Sequence, residues 1–403
     1  MKQDWEIKKL SDIGKVFNGN SINEKVKKDN YTNLDNGYPF IATKDVGFDS
    51  EIDYANGVKI PFSERKQFKI APANTPLICA EGGSAGRKIG FTNQDVSFGN
   101  KLFALVSNKN VDSKFIFYYY FNSSFQKHFT TEMTGIIGGV SMNKFKDIEI
   151  PIPPLPEQQR IVAILDEAFA AIAKAKANAQ QNLQNAKELF DGYLHKYFTN
   201  KEEGWEEKKL KDFAEYFNGL TYSPKDVSDK GIIVLRSSNI QNDELDFDDI
   251  VRVNLKVKEK IIVKDGDILM CSRNGSKRLV GKTAPIANLD EVMTFGTFMM
   301  IVRSEYNPYL LWFFKSTDFK SQISGGENTM INQITRYMLD EIVVSFPPIE
   351  KQNEIVKQLN AIDTEIQKLE SIYNKKLNDL EELKKSVLQK AFSGELKMEK
   401  ELV

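Results

Sequence analysis

The chain has 403 residues, 41% hydrophobic and 28% charged, with 55 basic against 56 acidic side chains and a net charge of −1. That length and apolar content support two or three packed domains, and no apolar run approaches the ~20 residues needed to cross a bilayer. The even charge argues against a simple basic nucleic-acid-binding domain, although charge can still be segregated by face. Met1-Lys2-Gln3-Asp4-Trp5 does not read as a signal peptide. Trp5 to Gly19 then returns, without a gap, as Trp205 to Gly219, including Trp-Glu, Lys-Lys-Leu and Phe-Asn-Gly. Between these anchors the copies diverge but keep a layout. Pro39 to Val46 matches Ile233 to Ile240, Leu77 to Ala80 matches Ile268 to Cys271, and Phe98 to Lys101 matches Phe295 to Phe298. These apolar, β-branched or aromatic runs, bounded by Gly, Asn and Asp, predict strands. Phe115 to Phe129 and Tyr309 to Ile323 predict short aromatic helices, and Asp147 to Ile152 and Glu341 to Phe346 predict a last strand in each copy. Cys79 and Cys271 lie in strand-like runs and read as buried thiols of a reducing cytoplasm.

Each copy then reaches a Pro-Pro stop, Pro153-Pro154 or Pro347-Pro348, followed by an uninterrupted amphipathic run to about Phe198 or Phe392. The first apolar row is Ile161, Leu165, Ala168, Ile172, Ala175, Ala179, Leu183, Ala186, Phe190, Tyr193 and Tyr197. The second is Ile355, Leu359, Ile362, Ile366, Leu369, Tyr373, Leu377, Leu380, Val387 and Ala391. Steps of four and three form a coiled-coil seam. A stutter at Ala179–Leu183 repeats at Tyr373–Leu377, 194 positions on, which points to duplication. Helices of about 40 residues are roughly 60 Å long. An Ala-rich seam facing a Leu/Ile/Tyr-rich one suits packing against each other.

The expected fold class is α+β: two mixed β-rich domains joined by two long helices in an antiparallel coiled coil, with an internal pseudo-two-fold repeat. The expected boundaries are 1–152 and 200–346 for the domains, and 153–199 and 347–403 for the helices with a C-terminal tail.

No catalytic set is found. His128 and His195 have no Cys or His partner at metal spacing. Gly281-Lys282-Thr283 resembles the end of a phosphate loop, but Ser276 stands where the first glycine belongs, and Pro285 blocks the helix that should follow. Glu206-Glu207-Lys208 fits a nuclease Glu-x-Lys only superficially. It repeats as Glu6-Ile7-Lys8, which favours a structural surface role.

The polar loops offer something else. Gly82-Gly83-Ser84-Ala85-Gly86-Arg87-Lys88 and Arg273-Asn274-Gly275-Ser276-Lys277-Arg278 follow corresponding strands. Small residues let backbone approach a ligand, and Arg, Lys, Asn and Ser donate to phosphates and base edges. The candidate contacts are Lys44, Ser84, Arg87, Lys88, Asn100, Lys101, Ser141, Asn143 and Lys144 in the first copy. In the second they are Ser238, Asn239, Arg273, Asn274, Ser276, Lys277, Arg278, Asn332, Gln333, Thr335 and Arg336.

Two variable domains, each followed by a helix opening Pro-Pro-x-x-x-Gln, resemble the specificity (S) subunit of Type I restriction-modification systems over essentially the whole chain. Trp5-Glu6, Trp205-Glu206 and Leu388-Gln389-Lys390-Ala391-Phe392-Ser393-Gly394-Glu395-Leu396 add to the likeness. The second copy has Glu350-Lys351-Gln352-Asn353 in place of Pro-Glu-Gln-Gln. The resemblance implies two target-recognition domains, each reading one half of a split, asymmetric site in double-stranded DNA. It implies a helical spacer that fixes the distance between half-sites and docks two modification (methyltransferase) subunits. Restriction (translocase/nuclease) subunits complete the complex, with S-adenosylmethionine, ATP and Mg on those partners, none on this chain, and a cytoplasmic location. The different-class alternative is a non-catalytic coiled-coil adaptor with two protein- or peptide-binding domains. It explains the helices but not a shared frame with divergent loops.

Overall fold

The structure, a computed structural model, describes residues 4–134, 138–199, 203–324 and 333–396. They fall into two compact units, one from Met1–Ala179 with Lys375–Val403 and one from Gln180–Asn374. The compact units thus do not follow the expected boundaries: each holds a globular body and parts of both long helices. Among the described residues, no helix is long and apolar enough to cross a membrane.

The first unit opens on the strand Glu6–Lys9, paired antiparallel with the last strand before the long helix, Glu149–Ile152. The body has two four-stranded sheets. One is antiparallel, in the order Gly14–Asn18, Leu102–Ser107, Pro76–Cys79, Ile89–Phe91. The other runs Lys59–Ile60, Tyr38–Ile41, Val96–Phe98, Ile70–Ala71, with Tyr38–Ile41 and Val96–Phe98 parallel. The helices Ser113–Tyr119 and Ser123–Thr131 supply Phe115, Tyr119, Phe125 and Phe129 to the core, joined by Tyr120 at the end of the first.

The second unit repeats this frame. Glu206–Lys209 pairs with Val343–Phe346. A four-stranded sheet runs Glu215–Asn218, Met299–Arg303, Ile268–Cys271, Thr283–Pro285. A three-stranded sheet runs Arg252–Val253, Val227–Leu235, Met293–Phe295, again with one parallel pair. The aromatic helices are Asn307–Lys315 and Thr317–Ser324. One addition is the hairpin Ile240–Gln241 to Glu244–Leu245, whose turn residues Asn242 and Asp243 take φ of 50° and 62° as a tight hairpin turn demands.

The repeated anchor has a packing reason. Behind each Phe-Asn-Gly the backbone crosses the end of the parallel strand. A Cβ on Gly19 would sit 1.8 Å from the Phe98 carbonyl oxygen, and one on Gly219 would sit 2.2 Å from that of Gly296. Only glycine permits this approach. Glu6–Lys8 and Glu206–Lys208 are i,i+2 ion pairs at 2.7 and 2.9 Å between exposed side chains of a strand.

The long helices are Leu155–Thr199 and Ile349–Ser393, 45 residues each. The motif at their start is a hydrogen-bonded stop. Gln158 is fully buried; its Nε2 donates to the Pro153 carbonyl at 2.8 Å and the Asn110 carbonyl at 3.2 Å, and its Oε1 accepts from the Asp112 N–H at 2.8 Å. The Gln352 Nε2 donates likewise to the Pro347 carbonyl at 2.8 Å. Proline forbids the preceding turn, and the glutamine satisfies the carbonyl that proline leaves behind.

Within the first unit the helix segments run antiparallel. Lys176 reaches Glu381 at 2.5 Å, and Arg160 donates to the Leu396 carbonyl at 3.2 Å. Ile161 and Leu165 share the domain core with Leu388, Ala391 and Phe392, and the Phe392 ring lies 5.2 Å from Phe115 and 5.0 Å from Tyr119. Within the second unit Lys187 pairs with Glu370 at 3.5 Å, and Tyr197 hydrogen-bonds Gln358. Leu194, Phe198, Ile355 and Leu359 enter that domain's core, and Trp312 donates to Asn360 at 3.0 Å.

Ile172 and Ile366 are buried, while Leu183, Ile362 and Leu377 are half-buried. Two expected seam positions are corrected. Leu369 is 39% exposed, and half-buried Glu370 takes its place beside Lys187. Tyr193 is exposed, and Leu194 is buried instead. Where a helix packs onto a domain, its buried row follows the 3.6-residue period and slides off a strict heptad.

Candidate nucleic-acid interface

In the first unit the expected contacts gather in two places. The first is the turn after Pro76–Cys79, where the Ser84 carbonyl accepts from the Arg87 and Lys88 N–H groups at 3.0 and 3.2 Å. Exposed Arg87 lies 5.0 Å and Lys88 5.2 Å from the ring centroid of Phe48, which is itself largely exposed. The Lys88 Nζ donates to the Thr43 carbonyl at 3.0 Å, so this turn sits beside Lys44. The second is a rim where Glu81 bridges Gly139 and the Ala80 N–H donates to the Lys101 carbonyl at 2.9 Å. Lys101 pairs with Glu81 at 3.3 Å and Lys144 with Glu132 at 3.0 Å. Asn100 and Asn143 are exposed. The Ser141 hydroxyl caps the helix Met142–Lys146.

The second unit uses the same two places with different chemistry. Its turn carries exposed Ser276, Lys277 and Arg278, while Asn274 Nδ2 donates to Ser237 Oγ at 3.0 Å. The Lys282 Nζ donates to the Ile240 carbonyl at 2.7 Å, as Lys88 does to Thr43, so the lysine of the phosphate-loop lookalike is engaged by backbone. Asn239 is no contact: it is fully buried, its Nδ2 donating to the Asp246 and Asp249 carbonyls and its Oδ1 accepting from the Arg236 N–H. The Ser238 hydroxyl is also buried, with no hydrogen-bond partner among the described residues. Asn332 lies outside the described residues.

The rim of the second unit is an open groove of about 560 Å³. It brings together Arg273, Gln333, Thr335 and Arg336 with residues not named among the expected contacts, including Asn218, Thr297, Tyr337 and Asp340. Arg273 bridges Gln333, and the Thr335 hydroxyl caps the helix Arg336–Glu341. Tyr337 is 85% exposed. Neither Arg273 nor Arg336 has an ion-pair partner among the described residues, whereas the first unit's rim lysines are paired. Asn218 was findable, because it is the middle residue of the repeated Phe-Asn-Gly. Tyr337 and Phe48 carried no pattern that would mark them as exposed. Burial pushes the thiols of Cys79 and Cys271 above their ordinary range, as suits inert core residues.

Two exposed cationic and amide-bearing places recur in each domain on one frame, with different side chains in each copy. Such a surface can bind a polyanion and read donor and acceptor patterns. The family model described as Type I restriction modification DNA specificity domain matches the chain twice, over residues 2–183 and 202–381. The chain is 26% identical over 424 residues to the Type I restriction enzyme EcoKI specificity subunit of Escherichia coli (strain K12), covering 98% of this chain and 90% of that protein. It is 24% identical over 428 residues to the MjaVIII specificity subunit of Methanocaldococcus jannaschii, covering 98% and 94%. The HsdS subunit from Thermoanaerobacter tengcongensis shares its fold, with a TM-score of 0.60 at 17% identity over 98% of each chain. So does a chain solved in work on complex assembly and conformational transition of the type I R-M system, with a TM-score of 0.81 at 16% identity over 98% and 99%. With two copies of its defining domain spanning most of the sequence, this chain belongs to the Type I restriction-modification DNA specificity family.

Proposed function

We propose that this chain is the DNA sequence-recognition subunit of a Type I restriction-modification complex. Each domain reads one half of a bipartite, asymmetric site, and the helix pair sets the spacing between halves. The observation that carries this is the repeated frame with two equivalent polar places lined differently in each copy: Glu81, Lys101 and Lys144 in one, Arg273, Arg336 and Tyr337 in the other. One architecture with two chemistries suits two different half-sites.

The chain supplies recognition; methylation of adenine by S-adenosylmethionine, and ATP- and Mg-dependent translocation and cleavage, belong to partner subunits. Exposed Leu189, Tyr193, Leu369 and Ile372 on the long helices of the second unit support docking of a modification subunit there. Such a complex works in the cytoplasm.

The test is a methylation map. The host genome is sequenced by a method that reports modified adenines, with and without this gene. One split motif loses its methylation when the gene is removed. If no motif changes, the proposal fails.

A further inference from the structure

Besides the hairpin added to the second domain, the two domains differ by an element inserted in the first. In the first, Asn20 bridges Gly99, and Ile41 pairs with Phe98; in the second, Leu220 bridges Gly296, and Leu235 pairs with Phe295. Between these matched points the first copy is six residues longer (20 to 41 against 220 to 235). The insertion holds the helix Glu24–Asn30, where the second copy has a short turn, Pro224–Asp226, and the start of a strand.

This helix has no folding role that its burial would explain. None of its residues is buried, and Val26, its one apolar residue, is 42% exposed. A helix of seven residues is not stable by propensity alone. It is held at its ends instead: the Asn23 side chain accepts from the Lys25 N–H, and the Lys27 carbonyl accepts from the Tyr31 N–H and the Thr32 hydroxyl. Tyr31 is anchored by Glu64 and Phe68.

What the helix displays is charge. Lys25, Lys27, Lys28 and Lys44 line one depression with Glu24 and Asp45; Asp29 is not among its lining residues. Both carboxylates are already engaged, Glu24 by Lys27 at 2.6 Å and Asp45 by the Ala42 N–H at 2.8 Å. The Lys27 hydrogen bond, with Lys44 adding to it, holds the Glu24 carboxyl below its usual range. Lys25, Lys28 and Lys44 have no ion-pair partner among the described residues. Through Thr43, whose carbonyl holds Lys88, the depression runs on into the Arg87–Lys88 turn.

We propose that the helix Glu24–Asn30 binds the phosphate backbone of duplex DNA, adding affinity to the first domain without reading sequence. Lysine on a one-turn display is a point charge, with no donor fork for a base edge. The proposal rests on the DNA-recognition function above.

The test uses the full chain in complex with its modification subunits, and a duplex carrying the mapped motif. Lys25→Gln with Lys28→Gln removes two contacts. Binding is expected to weaken about 30-fold near ~0.15 M salt and about 9-fold near ~0.3 M, with the slope of log K against log salt shallower by about 1.8. The methylated motif stays the same, and Lys25→Arg with Lys28→Arg keeps the wild-type slope. An unchanged slope in the glutamine variant, at an unchanged unfolding temperature, overturns the proposal. So does loss of the modification subunits on gel filtration, which makes the helix a protein-docking surface. If the wild-type complex binds the mapped duplex no better than a scrambled one, the recognition function fails and the helix proposal with it.

Discussion

Gln158→Leu tests whether the glutamine of the Pro-Pro-x-x-x-Gln motif fixes the long helix to its domain. Leucine keeps the volume and removes both polar atoms. Left behind are the buried Pro153 carbonyl, the Asn110 carbonyl and the Asp112 N–H, which Gln158 meets at 2.8, 3.2 and 2.8 Å. A buried group stripped of its partner costs about 1–3 kcal/mol, and the Asn110 and Asp112 bonds are only partly buried, so the loss should be about 3–4 kcal/mol. Gln352→Leu is the internal control: its amide serves the Pro347 carbonyl alone among described contacts, and about 1–2 kcal/mol follows. Urea unfolding followed by hydrogen exchange resolves the two units, with peptides from 108–120 reporting the first. The reasoning is refuted if Gln158→Leu costs under about 1 kcal/mol, or if Gln352→Leu costs as much.

Three further outcomes are expected. Gly219→Ala puts a Cβ 2.2 Å from a backbone oxygen and should destabilise by about 3 kcal/mol or more, while Gly192→Ala, in a helix with open space around it, should stabilise by about 1 kcal/mol in the same melts. Arg336→Ala should leave folding intact, cost about 1–3 kcal/mol in DNA binding, and relax methylation at one half-site only; relaxation at both halves would break the one-domain, one-half assignment. Leu369→Glu should fold within about 0.5 kcal/mol of wild type because the side chain is exposed, whereas Ile366→Asp, buried in the helix pair, should lose about 3 kcal/mol or more in thermal unfolding.

The repeat, the strands, the aromatic helices and both helix starts were legible in the sequence because each has a local cause. Pro-Pro stops a helix, and alternating apolar runs bounded by Gly and Asn make strands. The seam was legible only as far as one kind of packing lasted. Leu369 and Tyr193 were placed by continuing a strict heptad; Leu194 is buried instead of Tyr193 where its helix enters the domain core, and half-buried Glu370 replaces Leu369 beside Lys187 of the other helix. Asn239 was misassigned because its amide looks the same whether it serves a ligand or closes a turn, and the carbonyls of Asp246 and Asp249 decide that only in three dimensions. Ser141 and Thr335 carry helix caps, a role that spacing three residues ahead of a helical N–H makes readable. Tyr337 was missed because an aromatic residue in an amphipathic run defaults to the core, and nothing local says that this one points outward.

The shared core of the first unit has a consequence for how the chain is made. Gln180–Asn374 is one continuous stretch, so the second unit holds all its partners once Asn374 has left the ribosome. The first unit does not: Phe115 and Tyr119 are to be covered by Phe392, and Ile161 and Leu165 by Leu388 and Ala391, all synthesised more than two hundred residues later. The unit translated first is therefore completed last. Throughout that interval a nascent chain carries an open aromatic face, which makes this the part of the protein that depends most on rapid synthesis or a chaperone.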